Sequence, residues 1–172
     1  MRIALCQIPT ETDNIPKNLN NIIKCLGSKA EVYVFPEMFL TGYFSKKDDP
    51  EGVKDAVEKL RVLAAEKDIC IVVGGPEYAP EGKYNAAYVI TDTVRTYRKI
   101  HLPAFGPFTE KGRFIAGKEP MTFEFKDMKF GLCICYDAFF PEQIKASAVE
   151  GSEVNIVISA SPVTSREAFE CI

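Results

Sequence analysis

The stretch KFGLCICYDAFFPEQIKASAVEGSEVNIVISAS, residues 129–161, reads as strand, turn, helix and strand. KFGLCIC is small and apolar, with every second residue able to face a core, and Tyr136-Asp137 breaks it abruptly. PEQIKASAVEG then opens on Pro141, which a first helical turn tolerates, and stops at Gly151, while NIVISAS is a further strand. This alternation predicts an α/β fold. In such sheets ligands and catalytic groups gather at the carboxyl ends of strands, and Cys135 ends one. A tight Cys-Tyr-Asp turn would hold its sulfur outward, as a nucleophile elbow holds a serine. The competing reading is a small, inert core residue, because free cysteine is among the most buried residue types.

Upstream, MTFEF (121–125) pairs with KFGLCIC across KDM as two strands. RIALCQI (2–8) predicts a buried strand, and NIPKNLNNIIKCLGS (14–28) carries Leu19, Ile22, Ile23 and Leu26 at helical spacing, ending at Gly27. VYVFPE (32–37) is a strand stopped by Pro36, and DPEGVKDAVEKLRVLAAEKD (49–68) is a second amphipathic helix with Pro50 in its first turn. ICIVVGGPEY (69–78) is the next strand. KYNAAYVIT and VRTYRK form an antiparallel hairpin around TDT, so the sheet is mixed. Between Lys99 and Pro120, Pro103, Gly106, Pro107, Gly112 and Gly117 break all periodicity and predict a long ordered loop, whose Phe105, Phe108 and Phe114 either anchor it or line a pocket. SREAFECI (165–172) looks like the opening of a helix whose remainder is missing. With no internal repeat and no linker, residues 1–172 are expected to form one domain.

The bulk numbers narrow the function. Hydrophobic residues make up 47% of the 172 and charged residues 26%, an ordinary globular balance. The net charge is -3 with no basic block, which argues against nucleic acid. No run approaches the roughly 20 apolar residues of a membrane span, and MRIALCQIPTET turns polar too early for a signal peptide, so a cytoplasmic protein is expected. Cysteines at 6, 25, 70, 133, 135 and 171 form no CxxC pair, and His101 is the one histidine. Neither a disulfide framework nor a metal site is expected from that spacing.

A cysteine nucleophile needs a basic partner, since the thiolate is the reactive form. Lys99 and His101, two residues apart in YRKIHLP, would point the same way if the strand continued, and either could serve. Glu37 offers a carboxylate at another strand end, framed by Phe35, Met38 and Phe39, a setting suited to a general base.

VFPEMFLTGY (34–43), YRKIHLPAFGPFTEKGRFIAG (97–117) and GLCICYDAFFPE (131–142), in that order, resemble the nitrilase, or carbon-nitrogen hydrolase, superfamily. The resemblance runs from ALCQIPTETDNIPKN to VISASPVTSREAFE. It implies a four-layer αββα sandwich of which the C-terminal part is missing from this chain. By position it makes Glu37 the general base, Lys99 the catalytic lysine, Cys135 the nucleophile and Glu110 a second glutamate beside the lysine, and it demotes His101. The backbone N–H of Tyr136, next to the nucleophile, becomes an oxyanion donor. The implied activity is hydrolysis of a small linear amide through a thioester, without a cofactor, by a dimer or larger homo-oligomer. Phe139 stands where many members carry an arginine, which weakens the case for a carboxylate-bearing substrate. The loop 102–117 is similar to that of glutaminase domains that supply ammonia to NAD synthetases, so a glutaminase is one alternative. A non-catalytic oligomerising module is another.

Overall fold

A computed structural model describes residues 1–27, 29–106 and 108–161. Its first sheet has five strands in the order β1 (Ile3–Leu5), β2 (Val32–Val34), β3 (Cys70–Ala79), β4 (Gly82–Ile90) and β5 (Val94–Arg98). The first three run parallel, while β3–β4 and β4–β5 are antiparallel hairpins. Two helices, α1 (Ile15–Cys25) and α2 (Pro50–Lys67), connect the parallel strands. Asn14 caps α1 by accepting from Lys17 N–H at 3.2 Å, and Asp49 caps α2 by accepting from Gly52 N–H at 2.8 Å. Pro50 sits at the first helical position as its fixed φ favours.

The second sheet has the order β10 (Val154–Ile158), β9 (Met128–Ile134) and β8 (Met121–Phe125), with β10 parallel and β8 antiparallel to β9. Helix α3 (Pro141–Val149) joins β9 to β10 as the 129–161 pattern predicts. Among the described residues between β5 and β8, the long loop contains the short pair β6 (Ala104–Phe105) and β7 (Phe108–Thr109) and a 3₁₀ turn at Glu110–Gly112.

Strand alternation builds the layers. On β3, Ile71 and Val73 join Leu19, Ile22, Val53 and Leu60 in a core between sheet and helices. Their neighbours Cys70 and Val72 face the other way and pack with Phe123, Phe130, Leu132 and Ile156 between the two sheets. On the far side of β9, Gly131 lets α3 approach so closely that a Cβ there would meet Ser147 Cβ at 2.7 Å. Helices, sheet, sheet and helix therefore stack in four layers, as the αββα expectation requires.

One strand differs from its sequence reading. The ladder of β1 covers only Ile3–Leu5, and Leu5 is 73% exposed rather than buried. β1 is the edge of its sheet, so it has a neighbour on one side only. The SREAFECI expectation lies outside the described residues.

Candidate active site

Each candidate residue sits where a strand has just ended. Glu37 follows β2 past Pro36, and Met38 takes φ +53°, turning the chain sharply across β3. Gly74 on β3 permits that crossing, because a Cβ there would lie 2.6 Å from Glu37 Cα. Lys99 follows β5, its N–H donating to the Asn85 carbonyl at 2.8 Å and its own carbonyl accepting from Gly117 N–H at 2.7 Å. Cys135 follows β9, opens a 3₁₀ turn through Phe139 and holds φ +48°, a left-handed conformation uncommon for a residue with a side chain.

These turns bring the side chains together. Lys99 Nζ donates to Glu37 Oε1 and to Glu110 Oε1, each at 2.8 Å, and all three side chains are sealed from solvent. Asn85 Nδ2 donates to Glu37 Oε1 at 2.8 Å, the Ala160 N–H donates to Glu37 Oε2 at 2.9 Å, and Tyr43 OH donates to Glu110 Oε1 at 2.6 Å. Cys135 is 7% exposed, with Sγ 3.5 Å from Ser161 Oγ, which in turn contacts Ser159 Oγ at 2.8 Å. Glu110 Oε2 and Asn85 Oδ1 are buried with no hydrogen-bond partner among the described residues.

Charge and burial act together on these groups. Burial alone would push the Lys99 ammonium toward neutrality, but the carboxylates of Glu37 and Glu110 outweigh it and hold its pKa above the ordinary lysine value. Burial, opposed by Lys99 and reinforced by Glu37, holds the Glu110 carboxyl above the usual range. Burial and then the Glu37 charge also raise the Cys135 thiol, with Lys99 and the two serine hydroxyls pulling less strongly the other way. These influences favour the thiol over the thiolate, so a nucleophilic role for this sulfur would require a base. Titration of thiolate absorbance, taken as the difference between the protein and Cys135→Ala, is expected to show no Cys135 thiolate at neutral pH and to rise only above the ordinary thiol range. A thiolate already present near pH 7 would contradict this electrostatic account.

Lys99 and His101 do not point the same way. β5 stops at Arg98, Lys99 enters the carboxylate cluster, and His101 stacks on Phe140 with ring centroids 3.6 Å apart. Its Nδ1 lies 3.1 Å from Asp137 Oδ1. Of the loop aromatics, Phe114 is an anchor, buried with Met38, Tyr43 and Leu102, whereas Phe105 is 53% exposed. Sequence reading missed Tyr43, Asn85 and the Ala160 N–H. Only Asn85 left a trace, as a polar residue inside the apolar run KYNAAYVI.

The profile of the carbon-nitrogen hydrolase family matches residues 2–168. The chain belongs to that family. Among carbon-nitrogen hydrolase relatives, the glutamine-dependent NAD(+) synthetase of Acinetobacter baylyi is 31% identical over 94% of this chain but only 31% of its own length. A hydrolase encoded in the pqqF 5' region of Pseudomonas protegens is 30% identical over 95% of this chain and 60% of its own. Among solved structures, the glutamine-dependent NAD+ synthetase of Acinetobacter baumannii superposes with a TM-score of 0.87 at 26% identity, covering 97% of this chain and 34% of that one. The amidase of Nesterenkonia sp. AN1 gives a TM-score of 0.82 at 29% identity, covering 96% of this chain and 70% of that one. The chain thus spans about a third of the synthetases it matches. Among the described residues, no helix of this carbon-nitrogen hydrolase is long and apolar enough to cross a membrane.

Proposed function

We propose that this carbon-nitrogen hydrolase cleaves the non-peptide C–N bond of a small linear amide through a thioester on Cys135. The observation that carries the reading is the convergence of Lys99 Nζ on Glu37 and Glu110, at 2.8 Å each, near a buried cysteine held at φ +48°. A structure of the Nesterenkonia amidase with acrylamide added at its active-site cysteine supports the assignment of the nucleophile.

In this mechanism Glu37 takes the thiol proton as Cys135 Sγ bonds to the amide carbon, and the carbonyl π pair moves onto oxygen. An ammonium has three donors, and two of those on Lys99 are committed to carboxylates, which leaves one for the oxyanion. The backbone N–H of Tyr136 is the second donor. Collapse of the intermediate breaks the C–N bond while the Glu37 carboxyl returns its proton to nitrogen, so ammonia leaves and a thioester remains. The unpartnered Glu110 Oε2 can accept from the amide nitrogen during this step. Water then attacks the thioester as Glu37 removes a proton, the carbon–sulfur bond breaks, and the sulfur recovers its proton from Glu37. The products are a carboxylic acid and ammonia, and every step uses side chains, backbone and water.

Similarity to the synthetases favours glutamine as a second reading of the substrate. Brief incubation of the full chain with propionamide, butyramide or glutamine, followed by acid quench, intact mass and peptide mapping, tests both. The expected result is an acyl adduct on the Cys135 peptide, with ammonia released in step with acid. An adduct from glutamine alone selects the second reading. No adduct and no ammonia from any of the three would end the hydrolase assignment.

A further inference from the structure

The residue two places after the nucleophile is as buried as any in the site: Asp137 has no exposed surface. An isolated buried carboxylate is costly, so its partners report what it is there to hold. Asp137 Oδ2 accepts from Tyr97 OH at 2.8 Å and from the Ile134 N–H at 3.2 Å. Asp137 Oδ1 accepts from the His101 N–H at 2.7 Å and lies 3.1 Å from His101 Nδ1. The backbone of the same residue closes the turn, the Asp137 carbonyl accepting from Phe140 N–H at 3.1 Å.

The positions of these partners are informative. Tyr97 and His101 stand two residues before and two after Lys99, while Ile134 directly precedes Cys135. One carboxylate therefore grips the segment that carries the lysine on both sides, and also the strand end from which the cysteine turns.

We propose that Asp137 is a positioning residue that fixes the Cys135 turn against the Lys99 segment and so sets the place of the sulfur relative to the Glu37–Lys99 cluster. The proposal rests on the Cys135 assignment made above. Among the described residues the Asp137 carboxylate bonds to Tyr97, His101 and Ile134 rather than to the sulfur or the lysine, and it acts through the groups it holds. The left-handed φ of Cys135 makes such an external tie necessary, because a strained turn persists only where its surroundings over-determine it.

Asp137→Asn keeps the shape but offers a single oxygen, so its amide NH₂ must face one of the two donor pairs. The Tyr97 hydroxyl can rotate to accept, whereas the backbone N–H of Ile134 or His101 cannot. The test is the rate at which iodoacetamide alkylates Cys135, measured by peptide mapping, with Cys25 in the same molecules as the reference, together with kcat and KM for the best amide. Asp137→Asn is expected to slow Cys135 alkylation and kcat by about tenfold, the size of one lost charge-assisted hydrogen bond, with KM and the Cys25 rate unchanged. Tyr97→Phe, which removes one donor and leaves the carboxylate in place, is expected to slow both by about threefold.

Unchanged Cys135 alkylation in either folded variant overturns the proposal. Equal acceleration at Cys135 and Cys25 also overturns it, because Asp137 would then serve stability alone. If Asp137→Asn fails to fold, Tyr97→Phe decides by the same criterion. A protein that forms no acyl adduct, yet whose Cys135 alkylation still falls in the variants, would refute the hydrolase reading and leave the positioning role standing.

Discussion

Cys135→Ala is expected to abolish amide turnover, with a fall in kcat on the order of a millionfold, while the protein folds and melts almost as before. The size follows from removing the proposed covalent nucleophile, a loss of about that magnitude where such a residue has been deleted from a serine protease. The small effect on stability follows from the site. Among the described residues Sγ meets only the hydroxyls of Ser159 and Ser161 as hydrogen-bond partners, the latter at a long 3.5 Å, and alanine keeps the Cβ that Cys135 already carries at φ +48°, so no new strain enters. Ammonia release at saturating amide, alongside a thermal melt, checks both halves. Activity above about a thousandth of the starting value would mean that the sulfur is not the nucleophile, because the remaining binding and oxyanion donors account for no more than residual rates.

Lys99→Met is expected to lower stability by about 3–5 kcal/mol at neutral pH, the usual cost of breaking a buried ion pair from one side. Removing the ammonium leaves Glu37 and Glu110 buried and sharing a site with nothing to separate their charges. The pH dependence distinguishes this mechanism from simple loss of packing. Burial and Glu37 already hold the folded-state pKa of Glu110 above its unfolded value, and loss of Lys99 removes the main influence that opposed them, leaving only the Tyr43 hydrogen bond. A carboxyl raised in this way favours the fold below its unfolded pKa, and that contribution is lost as pH rises through the folded value. The deficit of Lys99→Met should therefore shrink on acidification from neutrality. Adding Glu110→Gln should recover part of it at pH 7. A deficit that is constant from pH 4 to 8 would assign the loss to altered packing of the methionine side chain instead.

The sequence was most legible where local chemistry and fold agree. Pro50 and the Asp49 cap mark the start of α2, the turn between Phe125 and Met128 marks the β8–β9 hairpin, and Cys135 stands at the strand end where its run of apolar residues stops. Glu37, Lys99 and Glu110 were found through motifs, and the fold brings their charged ends together. What remained hidden was whatever depends on distant pairing. Tyr43 reaches Glu110 across 67 residues and Asn85 reaches Glu37 across 48, and neither spacing leaves a periodic signature. The exposure of Leu5 was hidden for a related reason. An apolar strand looks the same in sequence whether it lies at the centre or the edge of a sheet, and only the strand order decides.

The hydrogen bond from the Ala160 N–H to Glu37 Oε2 joins residues 123 positions apart, just beyond the end of β10. Synthesis proceeds from the N-terminus, so the glutamate leaves the ribosome long before the amide that will pair with it. Until β10 lies beside β9, that oxygen has only water to hold it. Contacts of such separation close late because the intervening chain must first be ordered. The proposed base would thus acquire its final alignment only after β10 has been made and docked, and a nascent chain ending before Ala160 would carry the thiol, the amine and the acids without an assembled reaction centre.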